Sequence, residues 1–178
     1  MNKLPILFFA FIFIVLAGSV RAESLDDDSI RGMYAQAVSE ILSGDLNKVQ
    51  QTMQTRLNPA FSLTVHGTIV MLPAQPQTTT GTLDKNQAIA NAMQSFHVMK
   101  MSNYRNDVTD IKYSDDHKYA YVTAQGSASG NIDIPVDPQH TEPGHYAMQQ
   151  ACLDTLALAT SLINYVKSEC NSQLTVTR

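Results

Sequence analysis

From Ile30 the apolar side chains recur at Ile30, Met33, Tyr34, Ala37, Val38, Ile41 and Leu42, the three-and-four spacing of a helix with one buried stripe. Ser29 or Asp28 can cap its first amides, the acidic residues before it suit the positive helix end, and Gly44 stands where a left-handed cap belongs. Asp45 opens a second helix whose stripe is Leu46, Val49, Met53 and Leu57, ended by Asn58-Pro59. The period then drops to two. Phe61, Leu63 and Val65 alternate with Ser62, Thr64 and His66, and after Gly67 the β-rich run Thr68 to Leu72 predicts a hairpin or a bent strand. Pro73 to Thr80 reads as a polar loop. A third helix is expected from Lys85 to Phe96, with Asp84 and Gln87 forming a capping box and Ala88, Ile89, Ala92, Met93 and Phe96 facing inward.

The rest of the chain is β in pattern. Met99 to Tyr113 predicts one long strand, interrupted near Ser102-Asn103, and Lys118 to Ser129 a second one returning after a polar turn. Gly130 to Gly144 holds three prolines and reads as a surface loop. Tyr146 to Leu158 and Leu162 to Glu169 form a last hairpin, followed by a β-rich tail from Gln173.

The start of the chain follows a different rule. Met1-Asn2-Lys3 is a short positive opening, Leu4 to Leu16 is almost wholly apolar, and Val20 and Ala22 supply small residues before a cleavage point. Residues 1–22 are thus expected to be a signal peptide, removed on export to a periplasm or the outside. Residues 23–178 then form a single domain with no membrane span. The 178-residue chain has 12 Lys and Arg against 16 Asp and Glu, a formal charge of −4, and cleavage would remove two of the cations. An acidic chain without a basic cluster excludes nucleic acid as a partner, because phosphate binding rests on several cationic contacts.

Cys152 and Cys170 both lie in the exported part, and an even count in an oxidising compartment favours a disulfide between them. Register argues the other way. A turn at Ala159-Thr160-Ser161 with Leu158 opposite Leu162 makes the two cysteines diagonal neighbours, about 7–8 Å apart, whereas bonded cysteines have Cα atoms about 4.4–6.8 Å apart. A bulge in either strand would bring them into line.

Two helices joined by Ser43-Gly44-Asp45-Leu46 are followed by a strand pair. A helix introduced by Gly81-Thr82-Leu83-Asp84 and carrying Ala88-Ile89 comes next. The chain ends in two long hairpins, with Asp154-Thr155-Leu156 leading to Leu162-Ile163-Asn164-Tyr165-Val166. In this order the chain resembles the nuclear transport factor 2-like superfamily, which includes the SnoaL-like cyclases and ketosteroid isomerases. The resemblance implies an α+β fold, a curved antiparallel sheet wrapped around about three helices of the N-terminal half. Such a cystatin-like cone encloses an apolar pocket for a small apolar ligand, and it commonly forms a homodimer.

The chemistry is thinner than the fold. In isomerase-like members a carboxylate on the first strand pair is the base, and a tyrosine with a protonated aspartic acid stabilises the oxyanion. Between Phe61 and Leu72 there is no Asp or Glu, and His66 is the one titratable group. Asp154 falls where the resemblance places the oxyanion acid, while Tyr34 lies three residues early for the tyrosine and reads as core. Catalytic candidates are therefore Asp154 and His66, and pocket candidates Tyr34, Met93, Asp154 and Leu156. Met71, Met99, Met101 and Met148 are core fillers or pocket walls. The histidines lack metal-site spacing, although His140, Glu142 and His145 could take a metal adventitiously. No resident cofactor or metal is expected. These features favour an exported, non-catalytic binding or scaffolding module, with an isomerase or cyclase, or an assembly component of an envelope secretion machine, as alternatives.

Overall fold

The computed structural model describes residues 24–178 apart from 73, 138 and 139, so the expected leader lies outside the described residues. Among the described residues three helices, α1 (Asp27–Ser43), α2 (Leu46–Arg56) and α3 (Lys85–Val98), accompany strands β1 (Leu57–Met71), β2 (Gln77–Asp84), β3 (Met99–Tyr113), β4 (Tyr119–Asp137), β5 (His140–Ala159) and β6 (Leu162–Thr177). The strands make one open sheet in the order β2-β1-β6-β5-β4-β3. The sheet is mixed rather than wholly antiparallel, since β1 runs parallel to β6 while the other neighbours are antiparallel. Helix α3 carries the chain from the β2 edge to the β3 edge, and three hairpins bring it back beside its first strand. Register shifts after Met101 and Val108 in β3 mark the irregularities that bend a sheet.

The helix ends follow their caps. Asp26, rather than Ser29 or Asp28, starts α1, its Oδ1 accepting from the Ser29 amide at 2.8 Å, and Gly44 closes it at φ 73°. Asp45 accepts from the Lys48 amide, and Asp84 with Gln87 forms the expected box at α3. Leu42 departs from the stripe and is 49% exposed, because it lies a further 100° around the helix from Ile41. Two charged residues that hydropathy cannot place inside are buried: Glu40 with Lys48 at 3.3 Å, and Arg56, which donates to the Ile163 carbonyl at 3.1 Å and so ties α2 to β6.

Two expected loops are strands. Residues 77–80 belong to β2, which pairs with β1 from Ser62↔Asp84 to Ile69↔Gln77, so Gly67 lies inside a continuous strand and not at a turn. The segment 130–144 is mostly the outer part of the β4–β5 hairpin, with Ile132, Ile134 and Gly144 buried. Pro135 and Pro143 are tolerated there because β4 has outrun its last β3 partner at Ile132 and β5 precedes its last β6 partner at His145. Those strands have an open side where a missing amide breaks no ladder.

The β5–β6 register also departs from expectation. Ala159 pairs with Leu162 across Thr160-Ser161, a turn one residue shorter than expected, and a shift between Thr155 and Leu156 adds one more step. Together they set Cys152 directly opposite Cys170, with Cα atoms 4.1 Å apart and the sulfurs at bonding distance, 2.13 Å. Along β5 each even-numbered residue from Gly144 to Leu156 is buried, while the odd-numbered ones face outward. Leu158, beyond this run at the turn, is exposed.

Candidate functional site

The alternation of β5 places Asp154 on the inner, helix-covered face between Cys152 and Leu156. Its partner on β6 is Ser168, and above them α1 presents Tyr34, whose hydroxyl donates to Asp154 Oδ2. All three are buried, with Tyr34 1% and Asp154 3% exposed. Tyr165 from β6 stands at 6.2 Å between ring centroids from Tyr34, tilted by 57°. Loss of water raises the Asp154 carboxyl from 3.8 to about 6, against the lowering effect of hydrogen bonds from Ser168 and Tyr34. Burial, and then the nearby Asp154 charge, pushes the Tyr34 hydroxyl well above its ordinary value. The group can hold a proton near neutrality and position a hydroxyl, but both polar tips are sealed from solvent.

Of the sequence-predicted residues the structure brings Tyr34 and Asp154 together, with Leu156 fully buried on the same face of β5. Tyr34 reads as core from its position in α1, and it is core, yet it is also the donor to the buried acid. Met93 packs, partly buried, against the core from α3. His66 is separated from this group. It projects from the opposite, exposed face of β1, where Nδ1 lies 3.2 Å from the Thr80 hydroxyl and Nε2 3.9 Å from Glu169. Asp154 opposes Ser168, and Glu169, the next residue of β6, faces the other way, so His66 and Asp154 do not share one cavity. The expectation of a joint His66 and Asp154 centre is corrected by that parity. His140, Glu142 and His145 are strung along β5, and among the described residues no three acidic, histidine or cysteine side chains converge as metal ligands.

The outer face of the sheet carries a feature that hydropathy alone does not reveal. A groove with a volume of about 730 Å³ crosses the strands. One row of its lining, in register from edge to edge, is Thr80, His66, Asn171, Ala151, Gln125 and Asp107. The next row is Thr78, Thr68, Gln173, Gln149, Ser127 and Arg105. The signal in the sequence is the polar half of each alternating strand, but which polar residues share a row depends on register.

No family model matches the chain, and neither does any curated protein. Solved structures similar to it include a nuclear transport factor 2-like protein from Cytophaga hutchinsonii, at 14% identity over 81% of this chain and 95% of that one, with a TM-score of 0.47. A domain of unknown function with a cystatin-like fold from Nostoc punctiforme matches at 9% identity over 84% and 78%, with a TM-score of 0.47. A ketosteroid isomerase-like protein from Erwinia carotovora matches at 10% identity over 75% and 85%, with a TM-score of 0.40.

Proposed function

We propose that this chain is an exported binding module without chemistry of its own, and that it binds through the groove on the outer face of its sheet rather than through an apolar pocket in the cone. The observation that carries the reading is the division of polar groups between two faces. The Tyr34 and Asp154 pair is sealed within the core, while the open cavity lies across the other face. An isomerase-type centre built on Asp154 and His66 needs both in one cavity, and the parity of β1, β5 and β6 keeps them apart. Export is supported by the leader-like start and by a cysteine pair at disulfide separation.

The test is native mass spectrometry of the chain after export to a bacterial periplasm, as wild type and as Ala151→Trp, which fills the middle of the groove from an exposed position. Retained mass that disappears in Ala151→Trp supports the reading. Retained mass that survives the substitution, or turnover that is lost in a folded Asp154→Asn protein, overturns it.

A further inference from the structure

From the lining chemistry, and resting on the proposed use of the outer groove, we infer that its ligand is an uncharged oligosaccharide lying across the strands. Five inter-strand steps of about 4.8 Å give a track about 24 Å long, room for an extended chain of several sugar rings. The track is rich in side-chain amides, with Gln149 paired to Gln173 across β5 and β6 and Asn171 and Gln125 flanking Ala151 in the adjoining row. Each amide sets a donor beside an acceptor in one plane, the arrangement that meets adjacent hydroxyls on a sugar ring. Threonine and serine hydroxyls at the β2, β1 and β4 positions extend the same chemistry towards both edges.

The lining disfavours the other ligand classes. A phosphate polymer needs several available cations, and the arginine of the groove, Arg105, is held by Asp107 at 2.5 Å. An apolar ligand would meet Ala151 as the one aliphatic side chain among the described lining residues. A protein partner is anchored by buried aromatic or large aliphatic contacts, and among the described lining residues there is no Phe, Tyr, Trp, Leu, Ile or Met. Leu153, the next outward residue of β5, is half exposed at the rim, where it offers an apolar contact to the C–H face of a ring.

The experiment is calorimetric titration of the wild-type chain with three neutral hexasaccharides, maltohexaose, cellohexaose and chitohexaose, and with hexagalacturonate as the acidic counterpart. The expected result is binding of at least one neutral chain at millimolar concentration or below, none of the acidic one, and weakening by at least tenfold in Gln149→Ala/Asn171→Ala. Both substituted side chains are exposed, so the double variant leaves the core intact. If no neutral chain binds while Ala151→Trp still removes retained periplasmic mass, the ligand class is wrong and the groove stands. If a glycan binds and its binding survives Ala151→Trp, the groove itself is wrong. A wild-type dimer that Ala151→Trp converts to monomer would make this face a self-interface and overturn the glycan assignment.

Discussion

Tyr34 of α1 donates its hydroxyl to the carboxylate of Asp154 on β5, a bond between residues 120 positions apart that pins the first helix to the middle of the sheet. Ser168 on β6 gives the same carboxylate a second hydrogen bond. A buried acid with these partners is costly when charged and costlier when a partner is lost. The pair is therefore a structural latch whose strength depends on pH.

The carboxyl titrates at about 6 in the fold against 3.8 as its ordinary value. Over that interval the folded chain keeps a proton that the unfolded chain has lost, so this group's stabilisation is full below pH 3.8 and is lost as pH rises through 6. The displacement is worth about 3 kcal/mol. Asp154→Asn removes the titration, so relative to wild type the variant should gain about 2.5 kcal/mol on going from pH 4, where the unfolded carboxyl is already partly ionised, to pH 7.5. Denaturant unfolding of both proteins at the two pH values measures this. An unchanged difference would show that Asp154 has its ordinary pKa.

Tyr34→Phe keeps the ring and removes only the donor. At pH 7.5, where the carboxylate is charged, the loss should be about 1.5–3 kcal/mol, and at pH 4, where it is neutral, about 1 kcal/mol. In an Asp154→Asn background the pH dependence of the Tyr34→Phe effect should vanish. A double-mutant cycle at the two pH values reads both.

Cys152 and Cys170 stand opposite each other at a sequence separation of 18, both buried on the inner face. Closing a loop of this size is worth about 3 kcal/mol. Cys152→Ala/Cys170→Ala should lower the melting temperature of the oxidised protein by about 6–12 °C. Intact mass with and without reductant should differ by two hydrogens. A protein already carrying two free thiols after export would contradict the pairing.

Gly32 within α1 and Gly44 at its C-cap should respond to alanine with opposite signs, although neither has an atom within 4 Å of an added Cβ. Gly44 has φ 73°, which a side chain adopts at a cost of about 1 kcal/mol. Gly32 is an exposed helix-interior residue in ordinary geometry, and Gly32→Ala should stabilise by about 0.5–1 kcal/mol. Thermal unfolding of the two variants decides it. Loss of stability in Gly32→Ala would contradict a regular helix at that position.

Helix positions were legible in the sequence because their signals are local. The Ile30 to Ile41 stripe, the Gly44 and Asp45 elbow and the Asp84 and Gln87 box each act within one or two turns. Strand β3 is read to its ends for the same reason, its apolar and polar residues being bounded by a helix and a polar turn. The strand at 77–84 was not legible, since a threonine-rich edge has no apolar face of its own and becomes a strand only by pairing with β1. The prolines of 130–144 likewise hide two paired strand ends. Both members of the buried pair were legible as pocket candidates, Asp154 by its neighbours on one face of β5 and Tyr34 on the stripe of α1, but not the bond between them, because Tyr34 reaches Asp154 across the fold.

The sequence by itself determined the helices, the Gly44 and Asp45 elbow and the Asp84 and Gln87 box, the alternation that turns Asp154 inward and His66 away from Leu63 and Val65, and the two cysteines available for bonding. These depend on neighbours within a few residues. Only the tertiary structure decided that β1 runs parallel to β6, that Cys152 meets Cys170, that Tyr34 holds Asp154, and that polar residues of six strands align into one groove. Each of these depends on register, the sum of turn lengths and bulges, and a single inserted residue moves every partner beyond it.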